Sequence, residues 1–169
     1  HKQVVTVPHA PGSSQYRTLS AFTNSLVIAV RKPSNHYSLN SQARSLKQIR
    51  ALITEVACRL TIPESLTANI ILAVDEVCSN IIRHGYKNDT RQEICLTIFT
   101  PPDQLIIQIT DKGTCFDLTR AQPRDPADIK PGGLGVYIIK QVMDHVEYGQ
   151  TDTGLNQTRL IINLPPKQE

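Results

Sequence analysis

The sequence predicts an α+β fold in which helices pack on one face of a largely antiparallel sheet. Three observations carry this. The chain has 169 residues, 40% hydrophobic and 20% charged, enough for one domain with a core of its own. About six short segments are β-branched or alternate in polarity, and three longer ones repeat apolar residues at helical spacing. Their order mixes hairpins with helices instead of alternating strictly as βαβ.

In chain order, residues 1–24 are polar, hold Pro8, Pro11 and Gly12, show no sustained period and read as an arm or linker. Residues 25–31 are apolar and β-branched, Pro33 follows in a turn-forming stretch, and residues 36–39 read as a second short strand. From Asn40 or Ser41, Leu46, Ile49, Leu52, Ile53, Val56, Ala57 and Leu60 mark an amphipathic helix. After Pro63, Leu66, Ile70, Ala73, Val74, Val77 and Ile81 mark a second, running to about His84 with Gly85 as a natural stop. Its other face carries Asn69, Glu76 and Asn80, the last two at i, i+4 and therefore one above the other. Residues 93–100 and 104–110 alternate as a hairpin across Pro101, Pro102 and Asp103, and Asp111 ends the second strand.

Residues 114–131 form a long loop in which Pro123, Pro126 and Pro131 exclude regular helix, and such loops in compact domains are usually functional. Gly132, Gly133 and Gly135 then lead into a helix marked by Val136, Ile139, Val142, Met143 and Val146. Two closing strands, about 146–151 and 156–164, flank a turn at Asp152, Thr153 and Gly154.

Composition removes several function classes. No Asp or Glu precedes Glu55, and seven of the 18 Lys and Arg lie in the first 50 residues, leaving 11 basic against 15 acidic residues beyond. Dispersed basic residues, 5% aromatics and no Trp argue against nucleic-acid binding. The longest apolar stretches, 26–30 and 70–74, fall far short of the roughly 20 residues of a membrane helix. No export signal opens the chain, which is expected to be cytoplasmic, and His1 in place of Met reads as a tag scar or an excised domain. Cys58, Cys78, Cys95 and Cys115 form no C-x-x-C pair and read as reduced thiols, the first three as small buried hydrophobes.

Taken singly, the polar motifs leave their roles open. The glycines at 132–135 fit a phosphate site at a helix N-terminus and equally a tight loop-to-helix junction, for they complete neither a P-loop nor G-x-G-x-x-G. Glu76 and Asn80 fit two solvated helix residues. Asp111 could merely end a strand, Thr158 could face solvent, Lys130 could be a solvated loop lysine, and His84 reads as a packed helix-end histidine.

Together they say more. The stretch from Asp75, Glu76 through Asn80 to His84, Gly85 and Tyr86 resembles the N box of the GHKL ATPase superfamily. It is most similar to that of the anti-sigma-factor serine kinases, whose N-box helix ends in His-Gly-Tyr. Asp111, Gly113 and Phe116 resemble that family's D-x-G-x-x-F box, and Gly132 to Gly135 with Met143 and Asp144 resemble its second glycine box and L-M-D signature. Gly154, Asn156 and Thr158 are similar to its terminal hairpin. The matches fall in family order across residues 36–164.

The resemblance implies a two-layer α/β sandwich of the GHKL, or Bergerat, type, with a mixed, mostly antiparallel sheet. It implies an ATPase domain at 36–166 and leaves 1–35 as an N-terminal extension with one strand. It implies ATP or ADP with Mg²⁺, Asn80 as the metal ligand and Glu76 as the general base. Asp111 would accept a hydrogen bond from the adenine amino group, Gly113 would admit the base, and Thr158 would support the same contact. Gly132, Gly133 and Gly135 would hold the phosphates, with Lys130 adding positive charge and the 114–131 loop serving as lid. Cys115 departs from the pattern, standing where many relatives carry a third glycine.

The implied function is an ATP-dependent protein serine kinase and anti-sigma factor that phosphorylates a STAS-domain antagonist and sequesters a sigma factor. A homodimer is left open, and neither nucleic acid nor membrane is expected as a partner. The alternative is a nucleotide-gated protein-binding module without kinase activity, which would not need Glu76 as a base. A sensor histidine kinase lacks support, since none of the five His precedes an acidic residue.

Overall fold

The computed structural model describes residues 3–6, 35–115 and 134–164. Six strands are present among them: β1 (Gln3–Thr6), β2 (Asn35–Asn40), β3 (Glu93–Phe99), β4 (Gln104–Asp111), β5 (His145–Gln150) and β6 (Asn156–Asn163). The helices are α1 (Ala43–Arg59), α2 (Glu64–Asn80) and α3 (Leu134–Val142), and a π-helical turn, Ile81–Gly85, continues α2. The sheet order is β1-β5-β6-β4-β3-β2 with every pairing antiparallel, so β1 and β2 occupy opposite edges.

Directly opposed residues in an antiparallel sheet share a face, and the register sorts the helix-facing side into rows. One row is wholly apolar: Ile98, Ile107, Leu160 and Val146. The next, Leu96, Ile109, Thr158 and Tyr148, turns polar halfway across. The third, Ile94, Asp111, Asn156 and Gln150, is polar in all but its first member. The sheet thus passes from hydrophobic core to polar surface along its strands, and the polar end meets the end of α2.

Helical periodicity supplies the other layer. Ser45, Ile49, Ile53, Val56 and Ala57 form the buried stripe of α1, and Ile70, Ala73, Val74, Val77 and Cys78 that of α2. Helix α2 packs against both α1 and α3. Each aliphatic side chain taken fully out of water here contributes about 1.5–3 kcal/mol. Glu64–Gly85, a helical run of 22 residues containing an 18-residue window of mean hydropathy 1.3, is long and apolar enough by composition to cross a membrane. Its Ile70, Ala73 and Val74 are instead fully buried in the core beneath the sheet.

Four expectations need correction. The opening residues, read as an unpatterned arm, contain β1, too short at four residues to display a period; the strand expected at 25–31 lies outside the described residues. The third helix ends at Val142, not Val146, because Asp144 N donates to Ile161 O and Val146 pairs with Leu160 as a strand residue. Only Cys78 of the three expected buried thiols is buried: Cys58 faces outward on α1 and Cys95 lies half-exposed on the β3 face away from the helices. His84, expected to be packed, is exposed.

Candidate nucleotide site

The site begins where α2 loses its regular hydrogen bonding. Tyr86 N donates to Ile81 O at 2.8 Å, an i to i+5 bond that widens the last turn. Gly85 O is thereby free to accept from Thr114 N at 2.9 Å, which ties the end of α2 to the loop after β4. Tyr86, 7% exposed, fastens the same junction: its hydroxyl donates to Glu93 O at 2.6 Å and accepts from Lys112 N at 2.8 Å. Burial, opposed by the Lys112 N–H, raises its phenol above the ordinary range.

A small open cleft, with a cavity volume of ≈ 10 Å³, lies between these elements. Val77, Asn80, Ile81 and Gly85 line it from the helix side, Asp111, Tyr148 and Thr158 from the sheet, and Thr114 from the loop. A larger groove of ≈ 100 Å³ lies around Ile62, Leu66, Pro101 and Leu164, where the hairpin turns, and no ionisable side chain lines it. Of these two, only the first cleft is lined by an ionisable acid.

Asp111 is the buried acid of that cleft. Its Oδ1 accepts from Gly113 N at 2.7 Å and from Asn156 Nδ2 at 3.1 Å. Burial raises its pKa above the ordinary carboxylate value, and the Asn156 and Gly113 donors oppose the rise. Gly113 has no room for a side chain, since a Cβ there would stand 3.0 Å from Asp111 Oδ1 and closer still to Gly85. Thr158 is 4% exposed and lines the cleft, which excludes the solvent-facing alternative.

Glu76 and Asn80 meet as their spacing requires, with Asn80 Nδ2 donating to Glu76 Oε1 at 3.1 Å. That bond uses the amide nitrogen and leaves Asn80 Oδ1 as the atom able to serve a cation. Asn80 lines the cleft, and Glu76 stands behind it, bonded to Asn80. Next to Glu76, Asp75 Oδ2 pairs with Arg50 Nε at 2.6 Å, pinning α2 to α1, while its buried Oδ1 has no partner among the described residues. Burial raises the Asp75 pKa, with Arg50 opposing.

Among the described residues no group of three His, Cys, Asp or Glu side chains could hold a metal alone. Mg²⁺ at Asn80 would need phosphate oxygens and water to complete its shell, the usual arrangement for that ion. Gly135 lies in the first turn of α3, where backbone N–H groups lack helical partners. Lys130, Gly132 and Gly133 lie outside the described residues.

Two contributors were not assigned a role from sequence. Asn156 appeared only within the hairpin motif, yet it holds Asp111. Tyr148 lines the cleft and its hydroxyl donates to Cys115 Sγ at 3.1 Å, linking the departure at Cys115 to the pocket wall. The register Thr158↔Tyr148 would have exposed it, but register is invisible before the strands are paired.

This arrangement, a helix that ends at a cleft whose floor is a buried acid beside a glycine, is that of a histidine kinase-like ATPase domain, and such a domain is matched over residues 39–162. The chain is 30% identical over 106 residues to the serine-protein kinase RsbW of Bacillus subtilis, covering 58% of this chain and 66% of that kinase. It is 31% identical over 115 residues to RsbW of Bacillus cereus, covering 63% of this chain and 71% of the relative. In fold it is similar to one chain of the SiaB–SiaC complex of Pseudomonas aeruginosa, with TM-score 0.60, 11% identity, and coverage of 85% of this chain and 100% of that one. It is also similar to the RsbU and RsbW domains of a Mycobacterium tuberculosis protein, with TM-score 0.54, 16% identity, and coverage of 80% and 34%. The chain belongs to the histidine kinase-like ATPase family and, within it, to the anti-sigma-factor serine/threonine-protein kinases.

Proposed function

We propose that this chain is an ATP-dependent protein serine kinase that also acts as an anti-sigma factor, phosphorylating a STAS-domain antagonist and sequestering a sigma factor in a partner switch. One observation carries the reading: Glu76 is bonded to Asn80, which lines the same cleft as the buried carboxylate of Asp111. A module that only bound nucleotide would not need that carboxylate, which is the argument against the nucleotide-gated binding module.

In this reading Asp111 and Thr158 receive the adenine, and Gly132, Gly133 and Gly135, with Lys130, receive the phosphates. Mg²⁺ held by Asn80 and the phosphates would neutralise charge on the transferring group. Glu76 takes the proton from the acceptor serine as its oxygen bonds to the γ-phosphorus and the bond to the β-phosphate oxygen breaks, releasing ADP. The acceptor comes from a second protein and must present its hydroxyl to the γ-phosphate within reach of Glu76. Phosphate added at that contact sets negative charge beside the Glu76 carboxylate and favours release. The protein works in the cytoplasm, as a homodimer or alone, with residues 1–35 as an extension to the 36–166 ATPase domain.

A pull-down with the chain as bait, in ATP and then in ADP, followed by phosphosite mapping, tests this. Recovery of a STAS protein phosphorylated on serine, and of a sigma factor, is expected. A partner bound equally well in both phosphorylation states would favour the binding module.

A further inference from the structure

Asn156 is 4% exposed and uses its amide fully. Its Nδ2 donates to Asp111 Oδ1 at 3.1 Å and to Gly113 O at 2.8 Å, while its Oδ1 accepts from Gln150 Nε2 at 3.4 Å. Two acceptors on one side and a donor on the other fix which end of the amide is nitrogen. With Gly113 N at 2.7 Å, Asp111 Oδ1 carries two donors, and among the described residues both hydrogen bonds to this carboxylate fall on that oxygen. Oδ2 is left for the cleft.

We infer that Asn156 is a positioning residue for base recognition, saturating one oxygen of Asp111 so that the other is presented as a bare acceptor, which selects a 6-amino purine over a 6-oxo purine. This rests on the nucleotide reading above and adds to it the origin of base selectivity. A bare carboxylate oxygen accepts from an exocyclic amine and repels an exocyclic carbonyl. If Asp111 were free to rotate, Oδ1 and Oδ2 would share the donors, and the carboxylate could swing away from a 6-oxo group. Asn156 also grips Gly113 O, so the acid and the recess that admits the base are held as one unit.

The test is calorimetric titration of ATP and of inosine triphosphate into wild-type protein and into Asn156→Leu, which keeps the side-chain volume and removes the donor. Wild type should prefer ATP by more than about tenfold, and the variant should bring the ratio to within about threefold by weakening ATP more than inosine triphosphate. The ratio is taken within one preparation, so partly unfolded protein lowers the stoichiometry and not the ratio. Equal weakening of both nucleotides with the ratio preserved would mean that Asn156 only supports the loop, and would overturn the inference alone. Wild type binding neither nucleotide would overturn the nucleotide reading and the inference together. If Asn156→Leu does not fold, the wild-type Asn156 side-chain amide gives the answer by ¹⁵N NMR. Its protons should stay slow to exchange when ATP is added, and release into fast exchange would overturn the inference.

Discussion

Gly113 lies against Gly85 so closely that a Cβ on Gly113 would stand 2.8 Å from the Gly85 carbonyl carbon and 2.9 Å from its Cα. The reverse is looser, for a Cβ on Gly85 meets nothing nearer than 3.7 Å. Gly113→Ala must therefore displace backbone, at a cost of about 1–3 kcal/mol, and should weaken ATP binding as the recess shifts. Gly85→Ala should be milder. Denaturant titration of both variants checks the asymmetry, and equal losses would contradict it.

Under the proposed function the Glu76 and Asn80 pair divides into two roles. Glu76→Gln keeps a group that can accept from Asn80 but removes the base, so nucleotide binding should persist while phosphoryl transfer falls by about 10² or more. Asn80→Ala should lose Mg²⁺-dependent affinity instead. Single-turnover transfer and titrations with and without Mg²⁺ separate the two; a wild-type rate in Glu76→Gln would leave that residue as an ordinary helix carboxylate.

Tyr86 joins β3 to the loop after β4 through one hydroxyl. Tyr86→Phe keeps the ring in the core but leaves Glu93 O and Lys112 N without their partner. A loss of about 1–2 kcal/mol is expected, visible as a lower Tm. An unchanged Tm would mean that water replaces the hydroxyl at no cost.

Asp111 links the site to pH. Burial raises its pKa from 3.8, against the pull of Asn156 and Gly113 N, so the native state keeps the proton to a higher pH than the unfolded chain. The stability it contributes is fully present below the unfolded pKa and is lost as pH rises through the folded one. Asp111→Asn removes that ionisation while its Oδ1 can still accept the same two hydrogen bonds. The variant should melt above wild type at neutral pH, with the difference vanishing as pH falls toward the ordinary carboxylate range, yet bind ATP more weakly. A variant less stable than wild type at neutral pH would contradict this.

Much of the fold was legible because its signals are local. The stripe Ile49, Ile53, Val56 and Ala57 marks α1 by its period alone, and Pro101, Pro102 and Asp103 mark the hairpin. Val146 was ambiguous, since it fits the helical spacing from Val142 and also the alternation of β5; only its pairing with Leu160 decides. At the site, Glu76, Asn80, Asp111, Gly113 and Thr158 were legible as motifs, and the structure brings Asn80, Asp111 and Thr158 to one cleft. Asn156 and Tyr148 gained roles only through register, which sets Asn156 opposite the sequence-distant Asp111 and Tyr148 opposite Thr158 across the β5–β6 hairpin. Single residues cannot announce a cross-strand partner.

Incubation of the wild-type chain and of Glu76→Gln with radiolabelled ATP, Mg²⁺ and lysate from the source cell decides whether this cleft transfers phosphate to another protein. One labelled small protein, bearing phosphoserine, should appear with the wild type and fade with Glu76→Gln. No labelled protein with the wild type, under conditions where ATP is shown to bind, would contradict kinase activity and leave a domain that binds nucleotide without transferring it.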